Sequence, residues 1–351
     1  MEDNVMKKIL TGLVLLMMLF VLVSCGKKGN EQESEHEHTH EHNDAEVTLR
    51  LALSAHEGEP YYEAVEQFAS KVREKSNGTI EVTIFDSGKL GRDDTILSSM
   101  AQNEDKADIV ISDVSNFTTY DARMDISKLP FAFADYDEAR EFMEGEIQAE
   151  VERNLEQQNM KVLAHYTDGF HYLTLKGRTL NTPKDLQGEL IATSNQGTSD
   201  IAMKILGAMT EQHEASQLQQ VLQQGHCKGY EGTLNMIYNN RIYQMQNYIV
   251  VTNHYYSASC FVISNSVWND LEKEHQEIIK NAAVTSSRAQ YELVRAQDEE
   301  FLKKIESSGV RVQYPNLKMF WEKAELSVKN NPSAYGGMVD RFIMWKNSHS
   351  K

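Results

Sequence analysis

The chain has 351 residues, with 35 Lys or Arg against 52 Asp or Glu and a formal charge of -17. Such an acidic balance repels phosphate backbones and sets aside nucleic-acid binding through a basic surface. With 40% hydrophobic residues and only five prolines, the composition is that of a globular chain. Its length points to two domains, and its three cysteines exclude a disulfide framework.

Lys7 and Lys8 precede an apolar run from Ile9 to Val23. The run is too short to span a bilayer comfortably but suits the core of a signal peptide. It ends in Leu22-Val23-Ser24-Cys25, which resembles a bacterial lipobox. That resemblance implies removal of residues 1–24 and attachment of a diacylglycerol to the Cys25 thiol. The simpler readings are a plain signal peptide with a chance cysteine, or a short anchor helix. Residues 25–46 then form a polar, acidic linker with His36, His38, His40 and His42 in alternation. It has too little apolar surface to offset the entropy of ordering. Its imidazoles are weak candidates for metal capture, and a solvated spacer is the plainer reading. No metal is expected in the folded body.

From Val47 strand and helix patterns alternate. Val47–Leu53 has the period of a half-buried strand, and Tyr62–Lys75 puts Val65, Phe68, Ala69 and Val72 on one helical face. Asn77-Gly78 stops that helix. A second strand is predicted over Ile80–Ile84, a helix over Asp94–Gln102 and a buried strand over Ala107–Ser112. This order predicts an α/β fold with a mostly parallel sheet, whose ligand lies beyond the carboxyl ends of the strands, after Leu53 and Ser112. A helical stretch over Ser266–Ser307 is long enough to brace two lobes.

Catalytic motifs are lacking: there is no Gly-rich phosphate loop, no G-x-S-x-G and no H-E-x-x-H. His213-Glu214 lacks the second histidine of a zinc-protease helix. His226-Cys227 lacks partners at ligand spacing, so Cys227 and Cys260 read as buried thiols. An enzyme is unsupported, and no cofactor is expected.

Several phrases occur in a telling order. They are Ser76-Asn77-Gly78-Thr79-Ile80 with Ser87-Gly88-Lys89-Leu90-Gly91, Ala107-Asp108-Ile109-Val110, and Lys128-Leu129-Pro130-Phe131-Ala132-Phe133. Thr182-Pro183-Lys184-Asp185-Leu186-Gln187-Gly188, Val221-Leu222-Gln223-Gln224-Gly225 and Val251-Thr252-Asn253-His254 follow. Over residues 47 to about 340 the chain resembles a solute-binding protein of the tripartite ATP-independent periplasmic (TRAP) transporters, DctP type. The resemblance implies a two-lobed periplasmic-binding-protein-like fold with a hinge, crossing strands near Asp168 and Ser257, and a long bracing helix. Lobe I would comprise 47–168 plus 258–297, and lobe II 169–257 plus 298–351. The implied role is extracytoplasmic capture of a small solute, by family default an organic acid, and its delivery to TRAP permease subunits. The location would be a periplasmic face or a Gram-positive cell surface. A sensor or scaffold on the same fold is the alternative.

The departures bear on the ligand. Where the family carries arginines, this chain has His171 and Ala192, and where the family has an asparagine it has Gly232 after Glu231. A guanidinium makes two parallel charge-assisted bonds to a carboxylate, which neither histidine nor alanine can reproduce. Three outcomes stay open: a carboxylate held by Lys228 or His171, a neutral ligand read by Tyr, Asn and Glu, or no ligand. The candidate ligand-binding residues are His171, Asp113, Glu231, Lys228, Tyr230 and His56. Tyr255 and Tyr256 are expected to pack the crossing.

Overall fold

The computed structural model describes residues 45–104, 106–194, 198–331 and 333–349. The expected signal peptide, Cys25 and the histidines at 36–42 lie outside the described residues. The first strand, β1 (Val47–Ala52), buries Leu49 and Leu51, and α1 (Pro60–Lys75) follows it. Pro60 opens that helix, where its fixed φ suits the first turn and its missing N–H costs nothing. Phe68 and Val72 are fully buried on its inner face, and the left-handed Asn77 and Gly78 end it as expected. Then come β2 (Ile80–Phe85), α2 (Asp93–Ala101) and β3 (Ile109–Asp113). Both β2 and β3 pair parallel with β1.

After α3 (Tyr136–Met143) and α4 (Glu146–Arg153) comes β4 (Met160–Leu175), a 16-residue strand that organises the whole sheet. The chain continues through β5 (Leu190–Thr193), α5 (Thr198–Leu206), β6 (Met209–Gln212), α6 (Ala215–Gln223), β7 (Gly229–Thr233), α7 (Leu234–Asn239), β8 (Tyr248–Val250) and β9 (Tyr256–Ser264). The strand order is β2-β1-β3-β9-β4-β7-β5-β6, with β8 on β4 and β10 (Arg311–Gln313) on β8. From Met160 to Phe170, β4 pairs with β9; from His171 to Leu175 it pairs with β7 and β8. One strand therefore belongs to two sheets and changes partners beside Gly169.

The sheet is mixed rather than mostly parallel. Parallel pairing holds for β1–β2, β1–β3, β5–β6, β5–β7 and β8–β10, while β4 and β9 run antiparallel to their neighbours. Local strand–helix alternation over residues 47–112 predicts the parallel pairs of β1 with β2 and β3. It carries no information about two long strands that return across the sheet. The long helical stretch is also divided, into α8 (Asn265–Asp270) and α9 (Lys273–Ser307). Leu271 takes an extended conformation between them and is buried in the core under α1. The 35 residues of α9 pack on α1 and β4 and reach α7 and β10. No helix among the described residues is long and apolar enough to cross a membrane.

Candidate functional site

A cavity of about 470 Å³ opens where the carboxyl ends of β1 and β3 meet the start of α1. Its first wall is Ser54, Ala55, Glu59, Tyr61, Asp93 and Asp113. The second is His171, Thr233, Asn235 and Met236, all from the β4–β7 side. Asp168 and Ser257, on the crossing strands, form the floor with Asp298 of α9.

Behind His171 lies a buried polar chain. Its Nδ1 is 2.9 Å from Glu231 Oε2, and His254 Nε2 is 3.4 Å from the same oxygen. The Thr193 hydroxyl donates to Glu231 Oε1, and Thr252 Oγ1 is 2.7 Å from His254 Nδ1. Glu231 and His254 are almost wholly buried. Burial alone would push the Glu231 carboxyl up, but the two imidazoles outweigh it and hold the carboxyl well below the usual carboxylate range. The same burial pushes the His254 imidazole down, against the pull of Glu231.

The acids behave differently. Asp298 is 5% exposed and accepts hydrogen bonds at Oδ2 from Tyr136 at 2.6 Å and Tyr172 at 3.2 Å. Among the described residues no arginine or lysine offsets it, so burial pushes its carboxyl up to about 7, against those two bonds. Asp168 is exposed within the cleft, whose walls still displace much of its water. Together with the nearby Asp113 charge, this pushes its carboxyl up to about 7, with His171 opposing. Asp113 is neutralised differently: the buried Lys128 ammonium donates to it and to Ser115, and lies 5.4 Å from the Tyr255 ring centroid.

The sequence-derived candidates separate on this geometry. His171 and Asp113 line the cavity, and Glu231 lies directly behind His171. Tyr230 is fully buried beside Ser194 and Met236, behind the cavity wall rather than on it. Lys228 is exposed ahead of β7, outside the cavity wall, and His56 is exposed on the loop before α1, near Glu59. Asp168, Asp298 and Glu59 went unnoticed as site residues because no motif marks them. Asp298 is an unremarkable acid within a polar helix until the fold sets it against two phenols. Lys128 and His254 stood within recognised phrases, but their partners are distant in sequence. Tyr255 and Tyr256 are both buried.

Residues 51–332 match the model of bacterial extracellular solute-binding protein, family 7 (DctP). The chain belongs to this family. Among its relatives, the sialic acid-binding periplasmic protein SiaP of Vibrio cholerae is 25% identical over 83% of this chain and 90% of its own. The C4-dicarboxylate-binding protein DctB of Bacillus subtilis is 25% identical over 70% of each. A TRAP periplasmic solute-binding protein from Ochrobactrum anthropi, with its C-terminus bound in its ligand pocket, superposes with a TM-score of 0.74. The identity is 26%, covering 85% of this chain and 90% of the other. A Sulfitobacter protein holding β-D-galacturonate shares the fold at 22% identity and a TM-score of 0.70, over 86% and 99%. The present solute-binding protein thus has the two-lobed TRAP receptor architecture. No arginine or lysine occurs among the described residues that line its cavity.

Proposed function

We propose that this chain is the lipid-anchored receptor of a TRAP-type transporter, and that it captures a small solute bearing an ammonium group instead of a carboxylate. The observation that carries the ligand class is the charge of the cavity. Glu59, Asp93, Asp113, Asp168 and Asp298 line it, and Lys128 pairs with Asp113. A cationic group would draw the raised carboxyls of Asp168 and Asp298 into their ionised forms. Among the described lining residues the one basic group is His171, already bonded to Glu231. A carboxylate entering here meets like charge with no guanidinium to offset it, whereas an ammonium group finds several acceptors. Among the described residues no donor reaches Asp298 Oδ1, and in the ionised carboxyl that oxygen is an acceptor beside the bonded Oδ2.

The scale of the solute is suggested by relatives whose structures hold galacturonate, glucuronate and gulonate. A hexose skeleton with an amine in place of the acid fits both size and charge. The lobes are proposed as 47–168 with 258–297 and 169–257 with 298–351. The change of partners in β4 at Phe170 and His171 supports the break near 168, whereas Arg341 and Lys346 pair with Glu150 and Glu138 and so tie the last helix to the first lobe. Export and attachment through Cys25 rest on Leu22-Val23-Ser24-Cys25, and delivery to a permease rests on the family.

Isothermal titration with D-glucosamine, D-glucose and D-glucuronate tests the class at constant skeleton. Glucosamine is expected to bind tightest, more weakly at high salt, and about tenfold more weakly in Asp168→Asn, the equivalent of about 1.4 kcal/mol. Tighter binding of glucuronate overturns the ligand class and leaves the receptor intact. Silence across broad panels of amines, acids and polyols overturns the receptor itself.

A further inference from the structure

Glu211 lies in the edge strand β6, and His213 follows it one residue past the strand end. His226 and Cys227 occupy the turn between α6 and β7. The crossover from β6 through α6 to β7 brings that turn back beside the end of β6. His213 Nε2 is 3.1 Å from Glu211 Oε1, and His226 Nε2 is 3.0 Å from Glu211 Oε2. Cys227 Sγ stands 3.9 Å from His213 Nε2. The ligand atoms of His213, His226 and Cys227 all lie within 4.8 Å of one another.

Two imidazoles therefore present the same ring nitrogen, and a thiol its sulfur, to one small volume. In a tetrahedral zinc site with ordinary bond lengths, sulfur and nitrogen are about 3.6 Å apart, so little movement is needed. Access is also suitable. The His226 side chain is 52% exposed, while Cys227 is buried beneath it, so a hydrated ion can reach the ligands from one side. Two other gatherings of ligand-type side chains fit less well. Glu152, His165 and Cys260 offer one imidazole and a fully buried thiol. His171, Glu231 and His254 belong to the solute cleft, and Thr252 occupies the remaining nitrogen of His254.

We propose that His213, His226 and Cys227 bind one zinc ion, with Glu211 bridging the two imidazoles in the metal-free protein and supplying the fourth ligand or its hydrogen bond in the loaded one. Nitrogen and sulfur donors of this kind select zinc over magnesium or calcium. On binding, the Cys227 S–H bond breaks and its proton leaves to solvent. Each neutral imidazole keeps its proton by moving it from Nε2 to Nδ1, so one proton is released per ion. The ion ties the sheet edge more firmly to the turn entering β7, two segments that already meet through Glu211 and His226.

Cobalt titration of the metal-free full-length chain tests this in a Cys25→Ser background, which leaves Cys227 and Cys260 as the thiols. The expected result is one tightly bound cobalt with tetrahedral visible bands and a thiolate-to-cobalt charge-transfer band, all displaced by zinc. Histidines 36–42 can bind cobalt, but not with a thiolate band. Cys227→Ser removes the charge-transfer band, and Glu211→Gln weakens zinc binding by about 10–100-fold. His226→Ala, at an exposed position, weakens it at least as much and decides the matter should Cys227→Ser fail to fold. A missing charge-transfer band, one that survives Cys227→Ser, or unchanged affinity in His226→Ala overturns the proposal.

Discussion

Asp298 shows how a single residue acquires its chemistry from its surroundings. Its carboxyl is pushed from an ordinary 3.8 up to about 7 by burial, against two phenol hydrogen bonds. A raised carboxyl binds its proton more readily in the folded than in the unfolded protein. Its stability contribution is therefore full below about pH 3.8 and is lost as pH rises to about 7. Asp298→Asn keeps an oxygen for Tyr136 and Tyr172 but cannot ionise. Relative to wild type, it should gain stability progressively between pH 4 and 7, on the order of 4 kcal/mol at most above that window. Urea unfolding at several pH values checks this; a difference that does not vary with pH refutes it. Glu231 has the opposite sign, because its partners favour the charged form, so its contribution is lost in acid.

At the scale of elements, the decisive contact is α9 against the crossing of β4. Ser286, Gln290, Val294 and Asp298 recur every four residues and so share one face of the helix. Ser286 Oγ is 2.7 Å from the Tyr166 hydroxyl, and Gln290 Nε2 donates to the Thr167 carbonyl at 2.6 Å. Asp298 completes the row through Tyr136 and Tyr172. Gly169 lies between these contacts at φ +87°, where a Cβ would collide with the Tyr136 hydroxyl and crowd Asp298. Gly169→Ala should cost about 1–3 kcal/mol through the backbone alone and also displace Tyr136. Thermal unfolding reads the loss, and a neutral result would show that the crossing yields more easily than its packing suggests.

For the whole molecule, two walls of the cavity come from strands on opposite sides of the β4 crossing, so a bound solute touches both. If the proposed receptor closes on its solute, contacts that neither wall makes alone would drive it. X-ray scattering should show a smaller radius of gyration with saturating D-glucosamine and none of that change with D-glucuronate. At a hundredfold its dissociation constant, the ligand should also add about 2.7 kcal/mol of stability. A radius that shrinks equally with both sugars would show that closure does not depend on the cavity's charge. The overall charge of -17 adds a field that draws cations toward the protein.

Much of this was legible in the sequence. Periodicity located β1, α1, β2, α2 and β3 to within a few residues, because each follows from local spacing of apolar side chains. Ordered short phrases identified the family, and the resemblance led to an expectation of arginines where the chain has His171 and Ala192. What only the tertiary structure decided is what meets across the sheet: the antiparallel course of β4 and β9, Asp298 against two phenols, Lys128 against Asp113, and Cys227 beside His213. These contacts join residues from 14 to 162 positions apart. Spacing along the chain encodes which face a side chain takes within its own element. It does not encode which distant element comes to cover that face, and the chemistry of this protein is made there.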